Sequence, residues 1–162
     1  MRDLTLKPAQ PTIRLATTDE APAIARMSRD WIEHGLGWSW TGARVSQAVG
    51  DPSTNVAVLV KSDGLQGFGI MQYLDDSAHL VLLAIPPLMR HQGLGRQLLG
   101  WLEQSARIAG NTAIRLECRA DNVNAIAFYC HLGYRQVGSV PGYYERRVDA
   151  VQLTKQWAEP AS

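Results

Sequence analysis

The run Arg90-His91-Gln92-Gly93-Leu94-Gly95-Arg96 opens the chain's clearest amphipathic helix pattern, directly after the apolar stretch LVLLAIPP (80–87). Glycine is the costliest helix residue after proline, so two of them here point to something that approaches the backbone closely. A glycine-rich turn between a central strand and a helix offers free N–H groups and the positive end of the helix dipole, a setting for an anion. Gly93 and Gly95 have no side chain to block a diphosphate, and Arg90 and Arg96 add charge in the fork geometry that phosphate accepts. The competing reading is that the glycines only supply positive φ. Nucleotide fingerprints fail: no Lys-Ser or Lys-Thr completes a P-loop, and the third glycine of GxGxxG is Leu98.

A second chemical feature lies in AIRLECR (113–119). Strand alternation puts Leu116 and Cys118 on one face and Arg115, Glu117 and Arg119 on the other. Buried carboxylates are rarely left unpaired, so Glu117 is either a general base or one half of a salt bridge to Arg115, Arg119 or another cation.

These residues need a scaffold. Ile13–Ala16 reads as a short strand, and Thr17 with Glu20 as a capping box. The helix it opens has Ile24, Met27, Trp31 and Ile32 on its apolar face. The loop HGLGWSWTG follows, then a short helix near 43–49, which DPST breaks. VAVLV (56–60) and FGIMQYL (68–74), joined through SDG, form a hairpin. Residues 79–85 predict a strand buried on both faces. The glycine-led helix carries Leu94, Leu98, Leu99, Leu102, Ala106 and Ala109 inward and stops at Gly110. Then come the 113–119 strand, a helix over NAIAFYCHLGY ended by Gly133, and an antiparallel pair, RQVGSV and DAVQLTKQW. Strand–helix–strand across 80–119 requires parallel pairing, whereas the flanking hairpins are antiparallel. The fold class is α/β with a mixed, mostly antiparallel sheet flanked by helices. One domain is expected over 12–157, between a loose lead-in at 1–11 and a frayed tail at 158–162.

The bulk properties agree with a single core in 162 residues. A net charge of +1 gives no global field for nucleic acid or an anionic membrane, so anion binding must be local. Cys118 and Cys130 show neither a disulfide framework nor zinc spacing and read as reduced thiols. No metal is expected. No apolar run approaches the roughly 20 residues of a membrane span, and MRDLTLKPAQPT lacks the apolar segment of a secretory signal. A cytoplasmic location is expected, with no nucleic-acid or membrane partner.

Arg90-x-x-Gly93-x-Gly95, after a strand ending Ala84-Ile85-Pro86-Pro87, resembles the acyl-CoA pyrophosphate loop of the GNAT superfamily of N-acetyltransferases, [QR]-x-x-G-x-[GA]. The order of elements over roughly 12–157 is similar too. LECRADNVNAIAFYCHLGYRQV and PGYYERRVDAVQL look most like the bacterial ribosomal-protein alanine N-acetyltransferases. The likeness is dense over 80–153 and thin over 1–60, where acceptor choice is usually made.

The resemblance implies a central parallel strand pair that splays, with the pantetheine of acetyl-CoA in the notch along Leu83, Ala84 and Ile85. Backbone at His91, Gln92, Gly93, Leu94, Gly95 and Arg96 would cradle the pyrophosphate, with Arg90 beside it. It implies direct acetyl transfer to an amine. Tyr129, in the A-x-x-x-Y-x-x-x-G pattern of Ala125 to Gly133, would protonate the departing thiolate. Its ordinary pKa near 10 exceeds that of a thiol near 8.5. Asn122 would line the cofactor side of the notch, and Glu117 would deprotonate the amine. His79 competes for that role, because it stands where many relatives carry a glutamate in a pattern like E-L-L-x-I-A-V. Tyr143 and Tyr144 would hold an acceptor backbone, or else pack on the sheet. Trp38 and Trp40 would roof the acceptor site, or else divide into one buried and one exposed ring. The acceptor is a protein N-terminal α-amine or a small amine such as an amino acid, polyamine or antibiotic. A non-catalytic acyl-CoA-binding module is the rival from another class. Edge strands would allow a homodimer.

Overall fold

The structure, a computed structural model, describes residues 10–86 and 93–157. Arg90, His91 and Gln92 therefore lie outside the described residues. Strand β1 (Thr12–Leu15) leads into a 3-10 turn (Thr18–Glu20) and helix α1 (Ala21–Trp31). The Glu20 carboxylate accepts from Thr17 N at 3.0 Å, the reach-back half of the capping box. Helix α2 (Gly42–Gly50) is capped by the Thr41 hydroxyl, which accepts from Arg44 N. Strands β2 (Thr54–Lys61), β3 (Gly64–Tyr73) and β4 (Ser77–Ala84) form a meander. Helix α3 (Leu94–Ile108), β5 (Ala113–Arg119), α4 (Val123–His131), β6 (Arg135–Tyr144) and β7 (Val148–Gln156) complete the chain.

All seven strands join one sheet in the order β1-β2-β3-β4-β5-β7-β6. Only β4 and β5 are parallel; every other neighbouring pair is antiparallel. α3 crosses over between the two parallel strands, as parallel pairing demands. One hydrophobic cluster sets Leu98, Leu99, Leu102 and Ala106 of α3 and Tyr129 of α4 against Leu80, Leu116, Cys118 and Leu153. A second, on the opposite face, packs Ile24 and Ala25 of α1 and Val45 of α2 on Val56, Val58, Phe68 and Ile70. α3 thus covers β2 to β5 on one face of the sheet, with α4 beside it, while α1 and α2 cover the β2–β4 part on the other.

Three expectations need correction. Ala109 is exposed rather than inward, because α3 has already ended at Ile108 and Ala109 is its C-cap. β4 is not buried on both faces: Val81, Leu82 and Leu83 are half-buried. Its pairing with β5 stops at Leu80, so the C-terminal half has β3 on only one edge. β6 continues past Val140 to Tyr144, which lengthens the final hairpin.

Candidate active site

Parallel pairing between β4 and β5 runs from Ser77–Ala113 to Leu80–Leu116 and ends there. β4 stays bonded to β3 as far as Ala84, and β5 to β7 as far as Arg119. The two central strands therefore part beyond Leu80 and Leu116, opening a notch through the sheet. This is the splay expected of the parallel pair.

At the inner end of the notch, on the face that α1 packs against, His79 and Glu117 meet. His79 Nε2 lies 2.5 Å from Glu117 Oε2, and a guanidinium nitrogen of Arg115 lies 3.3 Å from Oε1. The two residues proposed as alternative bases are one hydrogen-bonded pair. Their side chains are 16% and 8% exposed, so the contact is shielded from bulk water. The hydrogen bond from His79, helped by the charge of Arg115, holds the Glu117 carboxyl below its ordinary range against the opposing effect of burial. The salt-bridge reading of Glu117 is thus correct for Arg115, whereas Arg119 turns to Asp121 at 3.1 Å.

Tyr129 lies on the other face of the sheet. Its ring is 8% exposed and packed edge-on against Phe128 at 5.1 Å and Tyr134 at 5.5 Å. Burial, reinforced by Cys118 and Tyr144 nearby, raises its phenol well above the ordinary tyrosine value, so it keeps its proton at any working pH. Cys118, beside it, is 7% exposed, and burial followed by the Asp121 charge pushes its thiol up to about 11. Such a thiol is a poor nucleophile at neutral pH. The His79–Glu117 pair and the tyrosine thus lie on opposite faces of the sheet, near the point where β4 and β5 part.

The glycines have local reasons of their own. Gly93 takes φ +77 as the N-cap of α3, with open space where a side chain would stand. A Cβ on Gly95 would lie 3.3 Å from Phe128 Cζ and 3.6 Å from Ile85 Cγ1. Positive φ explains the first glycine and close helix packing the second. Among the described residues no side chain caps α3, and the N–H groups of its first turn, at Leu94, Gly95 and Arg96, have no helical partners. Uncapped donors beside the notch mouth suit a phosphate. Asn122 is engaged otherwise: its Oδ1 accepts from Ala125 N at 3.1 Å and caps α4.

The aromatic residues divide. Trp40 is 7% exposed in the core beside Val45, under the Arg44 guanidinium, so it roofs nothing. Trp38 is 42% exposed, with its indole N–H donated to Ala25 O. Tyr143 and Tyr144 meet edge-on at 4.8 Å. The Tyr144 hydroxyl donates to the Glu117 carbonyl at 3.4 Å, and burial raises both phenols.

Residues 22–134 match the acetyltransferase (GNAT) family. The chain belongs to that family. This acetyltransferase is 32% identical over 133 residues to the [ribosomal protein bS18]-alanine N-acetyltransferase of Salmonella typhimurium, a match that covers 82% of this chain and 86% of the relative. The crystal structure of the ribosomal-protein-S18-alanine N-acetyltransferase from Escherichia coli superposes with a TM-score of 0.80 at 28% identity, over 94% of this chain and 97% of that one. A PaiA N-acetyltransferase from Thermoplasma acidophilum in complex with coenzyme A shares the fold, at TM-score 0.77 and 17% identity over 91% and 99% of the two chains. The protein is an N-acetyltransferase of the acetyl-CoA-dependent kind. Among the described residues no helix is long and apolar enough to cross a membrane.

Sequence reasoning missed how the acetyltransferase ties the α1–α2 loop to the β6–β7 hairpin. The Glu33 carboxylate, 7% exposed, accepts from Ser28 Oγ, Ser39 N and Oγ, and Trp40 N, and so organises the loop between α1 and α2 from within. That loop is held from outside by Arg119, which donates to His34 O at 3.3 Å, and by Glu145, which accepts from Gly37 N. Glu145 and Arg146 sit at the tip of the β6–β7 hairpin with φ 53 and 59, a two-residue turn of the kind glycine or asparagine usually makes. Nothing local in the sequence signals these contacts. Glu33 in particular follows an amphipathic stripe, where a carboxylate is normally solvated.

Proposed function

We propose that this enzyme acetylates the N-terminal α-amine of a protein by direct attack, with Glu117 taking the amine's proton and Tyr129 serving the leaving sulfur. The observation that carries the direct-attack reading is the notch itself, with a carboxylate–imidazole pair at one face and a buried, proton-bearing phenol at the other. The acceptor class rests on the ribosomal-protein alanine N-acetyltransferases, similar at 32% identity over most of both chains. It is supported by Tyr143 and Tyr144 beside Glu117, where hydroxyls can bond a peptide backbone.

When bound, acetyl-CoA supplies a thioester carbonyl to attack and a thiolate to depart. The first turn of α3 would hold its phosphate through N–H groups, and the free edge of β4 at Leu83, with Ile85 just beyond it, would offer backbone partners to pantetheine. An α-ammonium titrates near 8, so a large fraction is protonated at neutral pH, and the Glu117 carboxylate accepts that proton. Tyr129, neutral at working pH, donates its O–H proton to sulfur. General acid catalysis of this sort contributes roughly 10²–10⁴-fold. The free thiols Cys118 and Cys130 fit a reducing cytoplasm.

The test is thiol release from acetyl-CoA with short peptides of varied N-terminus beside a panel of small amines. Turnover on peptides with free N-termini, and none on their N-blocked forms, is the expected result. Turnover confined to small amines overturns the acceptor and keeps the enzyme class. Tight acetyl-CoA binding without any turnover points to a binding module.

A further inference from the structure

We infer that His79 is a positioning residue for Glu117: its neutral ring donates Nε2–H to Oε2 and aims the carboxylate at the amine, and protonation of the ring at Nδ1 switches that carboxylate off. This inference rests on the reading of Glu117 as the amine's proton acceptor.

The geometry carries it. An ionised carboxylate only accepts hydrogen bonds, so the ring nitrogen 2.5 Å from Oε2 is the donor; in the neutral ring that places the proton on Nε2 and leaves Nδ1 as the atom that gains one. The contact bridges adjacent strands at neighbouring rungs of the ladder, because His79 pairs in register with Arg115, two residues before Glu117. Both backbones are held by the sheet, so the carboxylate cannot turn without breaking this bond. Arg115 holds the other oxygen at 3.3 Å and leaves the remaining lone pairs for the acceptor.

The surrounding elements add little charge. On β3, the register partner of His79 is Gln72, which is neutral. On β6, Tyr143 and Tyr144 are phenols that burial keeps protonated. At the end of α1, Glu33 is held by Ser28, Ser39 and Trp40. The charge balance around the carboxylate is therefore set by Arg115, which is permanent, and His79, which is not. Adding a second positive charge at 2.5 Å deepens the hold on the Glu117 lone pairs and weakens it as a base. The expected pH response is loss of activity as the imidazole gains its second proton, an acid limb that belongs to His79 rather than to the carboxylate.

The experiment compares pH profiles of kcat/KM for an N-terminal peptide in wild type, His79→Gln and His79→Ala. Titration of the peptide amine is common to all three, so differences between profiles belong to the enzyme. His79→Gln keeps a donor to Oε2 but cannot charge, and its acid limb is expected to move down by at least about one pH unit. His79→Ala loses the donor, and kcat is expected to fall roughly tenfold to a hundredfold, as misorientation of a reacting group does, with KM for acetyl-CoA unchanged. A His79→Gln profile that superimposes on wild type overturns the inference. Nitrogen NMR of the ring decides independently of turnover. The expected spectrum shows Nε2 protonated and Nδ1 bare, with the signal assigned by its loss in His79→Gln. In Glu117→Gln the titration midpoint should fall, because the imidazolium loses its anionic partner. An Nδ1-protonated ring, or an unmoved midpoint, refutes the pairing even if the acetyl acceptor proves to be something else.

Discussion

Replacing Tyr129 by phenylalanine removes one hydroxyl and little else. The ring is 8% exposed and held edge-on between Phe128 and Tyr134, contacts that phenylalanine reproduces. Among the described residues the hydroxyl makes no hydrogen bond, so no partner is stranded, and the stability change should stay within about 1 kcal/mol. At this chain length that corresponds to a Tm shift of no more than about 4 °C. The kinetic effect should be large. Without a proton donor the sulfur leaves as a thiolate into a buried site, and loss of a general acid lowers kcat by roughly 10²–10⁴, or about 2.7–5.4 kcal/mol at 1.36 kcal/mol per decade. Because burial raises the wild-type phenol well above its ordinary value, its ionisation should produce no limb in the rate profile up to about pH 10, near the unperturbed tyrosine value. Thiol release with the best peptide acceptor, run beside thermal melts and acetyl-CoA calorimetry, separates chemistry from binding and folding. A kcat within about threefold of wild type, with an unchanged melt, refutes the role of Tyr129 as acid.

Other perturbations follow from single contacts. A Cβ on Gly37 would stand 2.5 Å from Glu145 Oε1, so Gly37→Ala should part the α1–α2 loop from the β6–β7 hairpin; the expected signature is a several-fold higher KM for the peptide and an unchanged KM for acetyl-CoA. Leu102 is fully buried between α3 and the sheet, and Leu102→Ala should lower unfolding free energy by about 2–5 kcal/mol in urea titrations. Iodoacetamide at pH 8 should modify exposed Cys130 and spare buried Cys118, whose thiol at about 11 is roughly 10³-fold short of thiolate at that pH; peptide mapping by mass spectrometry reads the order. Glu20, bonded to Arg14 at 2.8 Å and lowered to about 2, contributes stability that is present above its unfolded value of 4.5 and is lost as pH falls towards 2. Arg14→Ala should therefore narrow the gap between melts at pH 6 and pH 3, by less than about 1 kcal/mol for so exposed a pair.

The architecture was legible because its signals are local. The α3 stripe, the alternation of AIRLECR and the turn at SDG each declare an element within a dozen residues, and a strand–helix–strand order forces the parallel pair. Glu117 was legible for the same reason, as a carboxylate at an alternating position of a central strand. Its partnership with His79 was not, because it depends on the parallel register of β4 and β5 across 38 residues, which neither segment announces. Read one at a time, the two residues compete for one role; the register makes them hydrogen-bonded neighbours, so the two readings are no longer alternatives. The tryptophans illustrate the converse limit. A spacing of two in an irregular loop carries no face, and it took the Glu33 network, which bonds Ser39 and Trp40 on the inside of the turn, to send Trp40 into the core and leave Trp38 out. Gly93 and Gly95 occupy a middle position. Each has a sufficient backbone or packing reason, yet together they produce an uncapped helix start beside the notch. Local sterics account for both residues, and the helix start they shape is the one proposed to hold phosphate, so neither reading of the glycines displaces the other.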